Sequence, residues 1–131
     1  MLPLRGMSRD HTKLRFFAPA DDLALRVYQL TEALPIAERY GLQSQLRRAA
    51  VSVVTNIVEG ACRRSDRAYL HFLEISLGSA SETRYLLTLA VRLGFLSANT
   101  ADPLVEQYST VIKSIQSLLT TIAATENRAE S

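Results

Sequence analysis

Apolar residues recur along this chain at intervals of three and four, the spacing that gathers side chains on one face of an α-helix. The pattern is clearest over residues 40–60. There Leu42, Leu46, Ala49, Ala50, Val53, Val54 and Ile57 share one face, while Arg48, Ser52, Asn56 and Glu59 run in steps of four, four and three along another. A helix over residues 42–59 follows, with a face for burial and a second, polar line. Gly60 is suited to the left-handed conformation that stops helices.

Three further helices complete the pattern. Asp21 and Asp22 are good helix openers, and Leu23, Val27, Leu30 and Leu34 follow at four, three and four. Pro35 should end that helix and begin a short turn that Gly41 closes. Ser65 caps a long helix with Asp66 in its first turn, reaching about Leu93 before Gly94. Its apolar residues form more than one stripe: Tyr69, Phe72, Leu73 and Leu87 on one side, Ile75, Leu86, Leu89 and Leu93 on another. The last helix opens over residues 99–103, where Pro103 suits a first turn. Leu104, Tyr108, Val111, Ile115, Leu118 and Ile122 then recur at four, three, four, three and four, with Val105, Ile112 and Leu119 as a second seam.

Four helices with this spacing and short links predict an all-α fold, an antiparallel up-down-up-down four-helix bundle over residues 21–125. The extra apolar stripes imply that bundles pack on one another. Residues 1–20, with Pro3, Gly6, Pro19 and a second methionine at Met7, read as a mobile tail. Residues 126–131 are polar and are expected to fray.

At 131 residues the chain is one domain, able to bury roughly 65 to 70% of its unfolded surface without a metal or disulfide staple. Its single Cys62 cannot form an internal disulfide. With no signal-like leader, a reducing cytoplasm fits best. No apolar run approaches the ~18 residues of a membrane span. The net charge of +2 hides a segregation: +3 over residues 1–20, −3 over 21–38, +4 over 39–67 and −2 over 68–131. Any polyanion site must therefore be local, in the block of Arg39, Arg47, Arg48, Arg63, Arg64 and Arg67.

The chain resembles the four-helix-bundle family encoded by intervening sequences inside bacterial 23S ribosomal RNA genes. The likeness rests on Tyr28-x-Leu30-Thr31 and Pro35, on Tyr40-Gly41-Leu42-x-x-Gln45-Leu46-Arg47-Arg48-Ala49-Ala50-Val51-Ser52, and on Asn56-Ile57-x-Glu59-Gly60. It continues through Arg64-Ser65-Asp66, Phe72-Leu73, Gly78-Ser79 and Glu82. Leu34, Val54 and Cys62 depart from it, where the family often has an aromatic, a proline and a glycine. The resemblance implies a non-enzymatic bundle whose relatives assemble into a five-membered ring. A related branch, the accessory proteins of diversity-generating retroelements, binds nucleic acid and a reverse transcriptase through a basic surface.

Three constellations are candidates for chemistry. Arg63, Arg64 and Arg67 surround the start of the third helix, where Ser65 and free amides could hold a phosphate of RNA or DNA; the plainer reading is a solvated linker with an Arg67, His71, Glu74 ladder. Arg47, Arg48, Ser52, Asn56 and Glu59, with Glu82, read as a structural polar network that sets register and assembly. Gly78, Ser79, Ala80 and Ser81 read as small residues that admit close helix approach. Cys62 near His71 lacks an orienting group and an oxyanion site, so no catalytic residue is assigned. The only Glu-and-His spacing, His71-x-x-Glu74, is reversed from that of bundle metal centres, so neither metal nor cofactor is implied. The expected role is a cytoplasmic homo-oligomeric scaffold, with a nucleic-acid adaptor as the alternative.

Overall fold

The computed structural model describes residues 9–130. Four α-helices carry the fold: α1 (Phe17–Thr31), α2 (Leu42–Ala61), α3 (Asp66–Arg92) and α4 (Ala98–Glu130), with short 3-10 turns at His11–Lys13 and Ile36–Glu38. No strand occurs among the described residues. α1 packs on α2 and α4, and α3 packs on α2 and α4, with no close backbone approach across either diagonal among the described residues. The α1/α4 seam therefore lies on the opposite side of the molecule from the α2/α3 seam.

The apolar stripes meet in the middle. Leu23 and Val27, Leu46, Val53 and Ile57, Leu73 and Leu87, and Tyr108 and Ile115 are fully buried, each large side chain contributing about 1.5–3 kcal/mol by leaving water. The α4 seam behaves as its spacing predicts, with Leu104 to Ile115 buried and Leu118 and Ile122 partly so. Burial raises the Tyr108 phenol above its ordinary pKa, and its hydroxyl has no hydrogen-bond partner among the described residues.

The ordered structure begins earlier than expected. Residues 1–8 of the expected tail lie outside the described residues, but residues 9–20 fold onto the bundle. Phe16 is 4% exposed and Ala20 fully buried, which extends the four, three, four spacing of Leu23 and Val27 one turn upstream. Pro19 is the third residue of α1, where its missing N–H would have had no intrahelical partner. At the other end α4 continues past residue 126 to Glu130, and Ser131 lies outside the described residues.

Two helix boundaries also differ. Ser65 caps α3 as expected, its hydroxyl accepting from Ala68 N at 3.1 Å, and Gly94 ends it at φ 78°. α4 starts at Ala98, one residue before the expected range, because the Ser97 hydroxyl accepts from Thr100 N at 3.3 Å, and Pro103 falls in its second turn rather than its first. Gly60 does not stop α2. It is helical and buried, and a Cβ there would stand 3.0 Å from Phe72 Cβ and 3.2 Å from Tyr69 Cδ1. Gly60 is thus a point of close approach between α2 and α3.

Gly60→Ala should lower stability by about 1–3 kcal/mol in chemical denaturation because the packing has no room for the methyl group, against the ~1 kcal/mol by which alanine favours a helix. A more stable variant would show that Phe72 and Tyr69 yield without cost.

Candidate functional site

Ser76 is buried on α3 and donates across the α2/α3 seam to the Val53 carbonyl at 2.7 Å. One turn along, the Ser52 and Ser79 hydroxyls meet at 2.7 Å. Asn56 Nδ2 donates to Ser52 Oγ at 3.0 Å and to its carbonyl at 2.8 Å. Short side chains let the helix backbones approach, and their hydroxyls satisfy one another where water is excluded. Ser52, Asn56 and Ser79 therefore form one cluster, but the charged residues expected with them do not join it. Arg48 and Glu82 are exposed, with no hydrogen bond or ion pair among the described residues. Glu59 pairs instead with Arg63, at 3.5 Å one turn on.

Arg47 turns the other way. Its Nε donates to Thr31 Oγ1 at 2.9 Å, and Nη2 donates to the Tyr28 carbonyl at 3.1 Å and Glu32 Oε1 at 2.9 Å. The guanidinium also lies 4.6 Å from the centre of the Tyr28 ring. Gln43 Nε2 adds a 3.0 Å bond to the Thr31 carbonyl. Side chains of α2 thus satisfy the open carbonyl end of α1, where a cation is favoured by the helix dipole. Neither Glu59 nor Glu82, the partners the sequence suggested, is involved.

The basic end is partly occupied from within. Arg63 lies 4.7 Å from the centre of the Phe72 ring as well as pairing with Glu59. Arg9 pairs with Asp66, donates to the Arg63 carbonyl at 3.1 Å, and sits 4.2 Å from the Tyr69 ring centre. Its own amide donates to the Ala61 carbonyl at 2.7 Å. Burial raises the Tyr69 phenol and the Arg9 charge opposes that rise. At the start of α3, Ser65 already serves Ala68, and the Asp66 carboxylate occupies the anion-favouring first turn. Arg64 and Arg67 are exposed without a partner among the described residues. His71 contacts Phe72 edge-on at 5.5 Å, and no ion pair joins Arg67, His71 and Glu74.

Sequence reasoning missed Arg9, Gln43, Thr31 and Ser76. Ser76 could have been found, since it lies with Leu73, Ala80 and Thr83 on one buried stripe of α3; nothing local marks Arg9, whose partners lie more than fifty residues away. Cys62 is exposed in the connection. Among the described residues no three His, Cys, Asp or Glu side chains gather as metal ligands, and no helix is long and apolar enough to cross a membrane.

What this geometry defines is an all-α protein of four helices, two of which are joined by a seam of buried and half-buried hydroxyl and amide groups. The family model for 23S rRNA-intervening sequence protein matches residues 12–117. The chain belongs to that family. Among solved structures it is similar to a protein of unknown function from the S23 ribosomal protein family of Bacteroides thetaiotaomicron, with a TM-score of 0.73 and 23% identity over 79% of this chain and 97% of that one. A search of curated protein sequences finds no match.

Arg47→Met keeps the bulk of the side chain but removes its hydrogen bonds, and should cost about 1–3 kcal/mol of stability. Faster amide exchange confined to the end of α1 and residues 32–41 is the accompanying signature; an unchanged midpoint would remove Arg47 as the terminator of α1.

Proposed function

We propose that this protein is a non-enzymatic cytoplasmic scaffold, an up-down-up-down bundle that assembles with copies of itself through the outer faces of α2 and α3 into a five-membered ring. Antiparallel direction is supported by pairings such as Ser52 with Ser79 and Val53 with Ser76, against Gly60 with Phe72 and Tyr69, since residue numbers rise on α2 as they fall on α3. A ring needs two different patches on each protomer, because head-to-tail contacts alone close a cycle of five.

Gly78 carries the reading. It sits in the middle of α3 with nothing within 4 Å of where a Cβ would be, although glycine inside a helix costs about 1 kcal/mol relative to alanine. Nothing among the described residues requires that glycine, so its use lies with a neighbour that approaches the helix closely. On the same helix Ile75 is 39% and Tyr85 55% exposed, and on α2 Val51 is 37% exposed. Arg48 on α2 and Glu82 on α3 bring opposite and unpaired charges to these faces, which suits a contact between the α2 edge of one copy and the α3 edge of the next.

Gly78→Trp should reduce the light-scattering mass to that of one protomer while helicity and melting temperature stay level or rise. Arg48→Glu should weaken assembly, and adding Glu82→Arg should restore it. A Gly78→Trp protein that keeps the wild-type mass sinks this surface.

The second reading, a nucleic-acid adaptor or chaperone, is favoured by one observation: Arg64 and Arg67 are exposed and unpaired beside Arg63. A ring would repeat that cluster around its circumference, and multiplicity strengthens weak contacts. Reversing Arg63, Arg64 and Arg67 to Glu should leave the oligomer intact and abolish a steeply salt-dependent binding of single-stranded RNA or duplex DNA. Absence of binding at low salt in the wild type removes this role.

A further inference from the structure

On the side of the bundle away from α2 and α3, the segment before and at the start of α1 stands off from α4 and leaves a trough. Its deeper part encloses about 470 Å³ and runs along α4 from Gln107 to Ser114. A second part of about 350 Å³ continues from Ser114 to Thr121. The two share Arg15, Phe16 and Ser114, so they adjoin along fifteen residues of helix, about 21 Å at ~1.5 Å per residue.

The floor is apolar, formed by Phe16 and Val111 and continued by Leu118. Along the α4 wall, Ser114 and Ser117 have side-chain hydroxyls with no described partner. The facing wall carries Lys13 and Arg15, both exposed and neither in an ion pair among the described residues. Hydrogen bonds from Thr12 hold the nearby Asp10 carboxyl below its usual range, with a smaller contribution from the Lys13 charge. No carboxylate lines either part of the trough.

We propose that this channel binds a free medium-chain carboxylate, its aliphatic chain along Phe16, Val111 and Leu118 and its anionic end held by Lys13 and Arg15 with a serine hydroxyl. Charge complementarity selects the anion: two cations in no ion pair and two free hydroxyl donors, among the described residues, stand at an apolar trough that no carboxylate lines. The shape selects the chain. An extended peptide would need backbone partners, and the α4 backbone spends its own within the helix, whereas an acyl chain needs only apolar contact. Because the α1/α4 seam lies opposite the α2/α3 seam, the site stays open in a ring built through α2 and α3, and the proposal does not depend on that ring.

Titration of the full chain with decanoate below its micelle concentration, followed by calorimetry and by methyl NMR shifts of Val111 and Leu118, provides the test. One ligand per protomer is expected. Decanol, which lacks the anion, and the Lys13→Glu, Arg15→Glu double variant should each bind about tenfold more weakly. Ser114→Trp should fill the channel and abolish binding; the double variant, altered only at exposed positions, keeps the test decisive if the tryptophan perturbs folding. The proposal is overturned if decanoate does not saturate, if the double variant binds as the wild type does, or if vesicles of phosphatidylglycerol bind instead and do so equally in the charge-reversed protein.

Discussion

The closeness of α2 and α3 is the constraint from which the other features follow. Gly60 admits the Phe72 and Tyr69 side chains at a separation where a methyl group would have to push them back. From there the helices stay near enough for Ser76 to reach the Val53 carbonyl and for Ser52 to meet Ser79. Serine and glycine are poor choices for apolar burial, yet they let backbones approach, and each inward hydroxyl has a partner that compensates for lost water. With the short side chains turned into the seam, the larger apolar residues of these helices divide between the core and the outside. Leu46, Ile57 and Leu73 go inward, while Val51, Ile75 and Tyr85 remain on the surface. An outer apolar face is thus a geometric consequence of a tight inner one.

The basic block of residues 39–67 takes on a different character once its members are placed. Arg47 is committed to the carbonyl end of α1, and Arg63 to Glu59 and the Phe72 ring. The Asp66 carboxylate is held by Arg9. What remains open is smaller than the sum of charges suggests and divides among three places: Arg39 in the turn between α1 and α2, Arg48 on the α2 face, and Arg64 with Arg67 at the start of α3. Charge counted along a sequence overstates the field a partner meets, because a cation already paired or capping a helix offers little to an incoming anion. The two proposed readings, assembly and polyanion binding, therefore call on different arginines.

The four helices and most of the core were legible because burial imposes a period, and Leu104, Tyr108, Val111 and Ile115 keep that period over several turns. The first helix was read one turn short, because Pro19 was weighed as a loop residue although a proline costs a helix nothing within its opening turn. Gly60 was read as a stop for the converse reason: glycine serves both left-handed turns and close packing, and only the facing Phe72 decides between them. Ser52 and Asn56 were singled out from one helix alone, and the third member, Ser79, appeared only among the small residues. The partners of Arg47 lay beyond local reasoning, since the sequence offers several acids and only the turn between α1 and α2 brings Glu32 to it.

The anchoring of Arg9 also bears on the order in which the chain can fold. α2 and α3 are joined by only four residues, so their hairpin closes with little loss of chain entropy. Arg9, by contrast, bonds to residues as distant as Asp66, fifty-seven positions later. On the ribosome, at roughly 5–20 residues per second, several seconds separate the synthesis of the two ends of that contact. During that interval Phe16 and Phe17 have neither the α2/α3 connection nor α4 to pack against. Arg9 and Phe16 are therefore made well before the residues they dock on, and Phe16, only 4% exposed in the folded chain, stays uncovered until α4 follows.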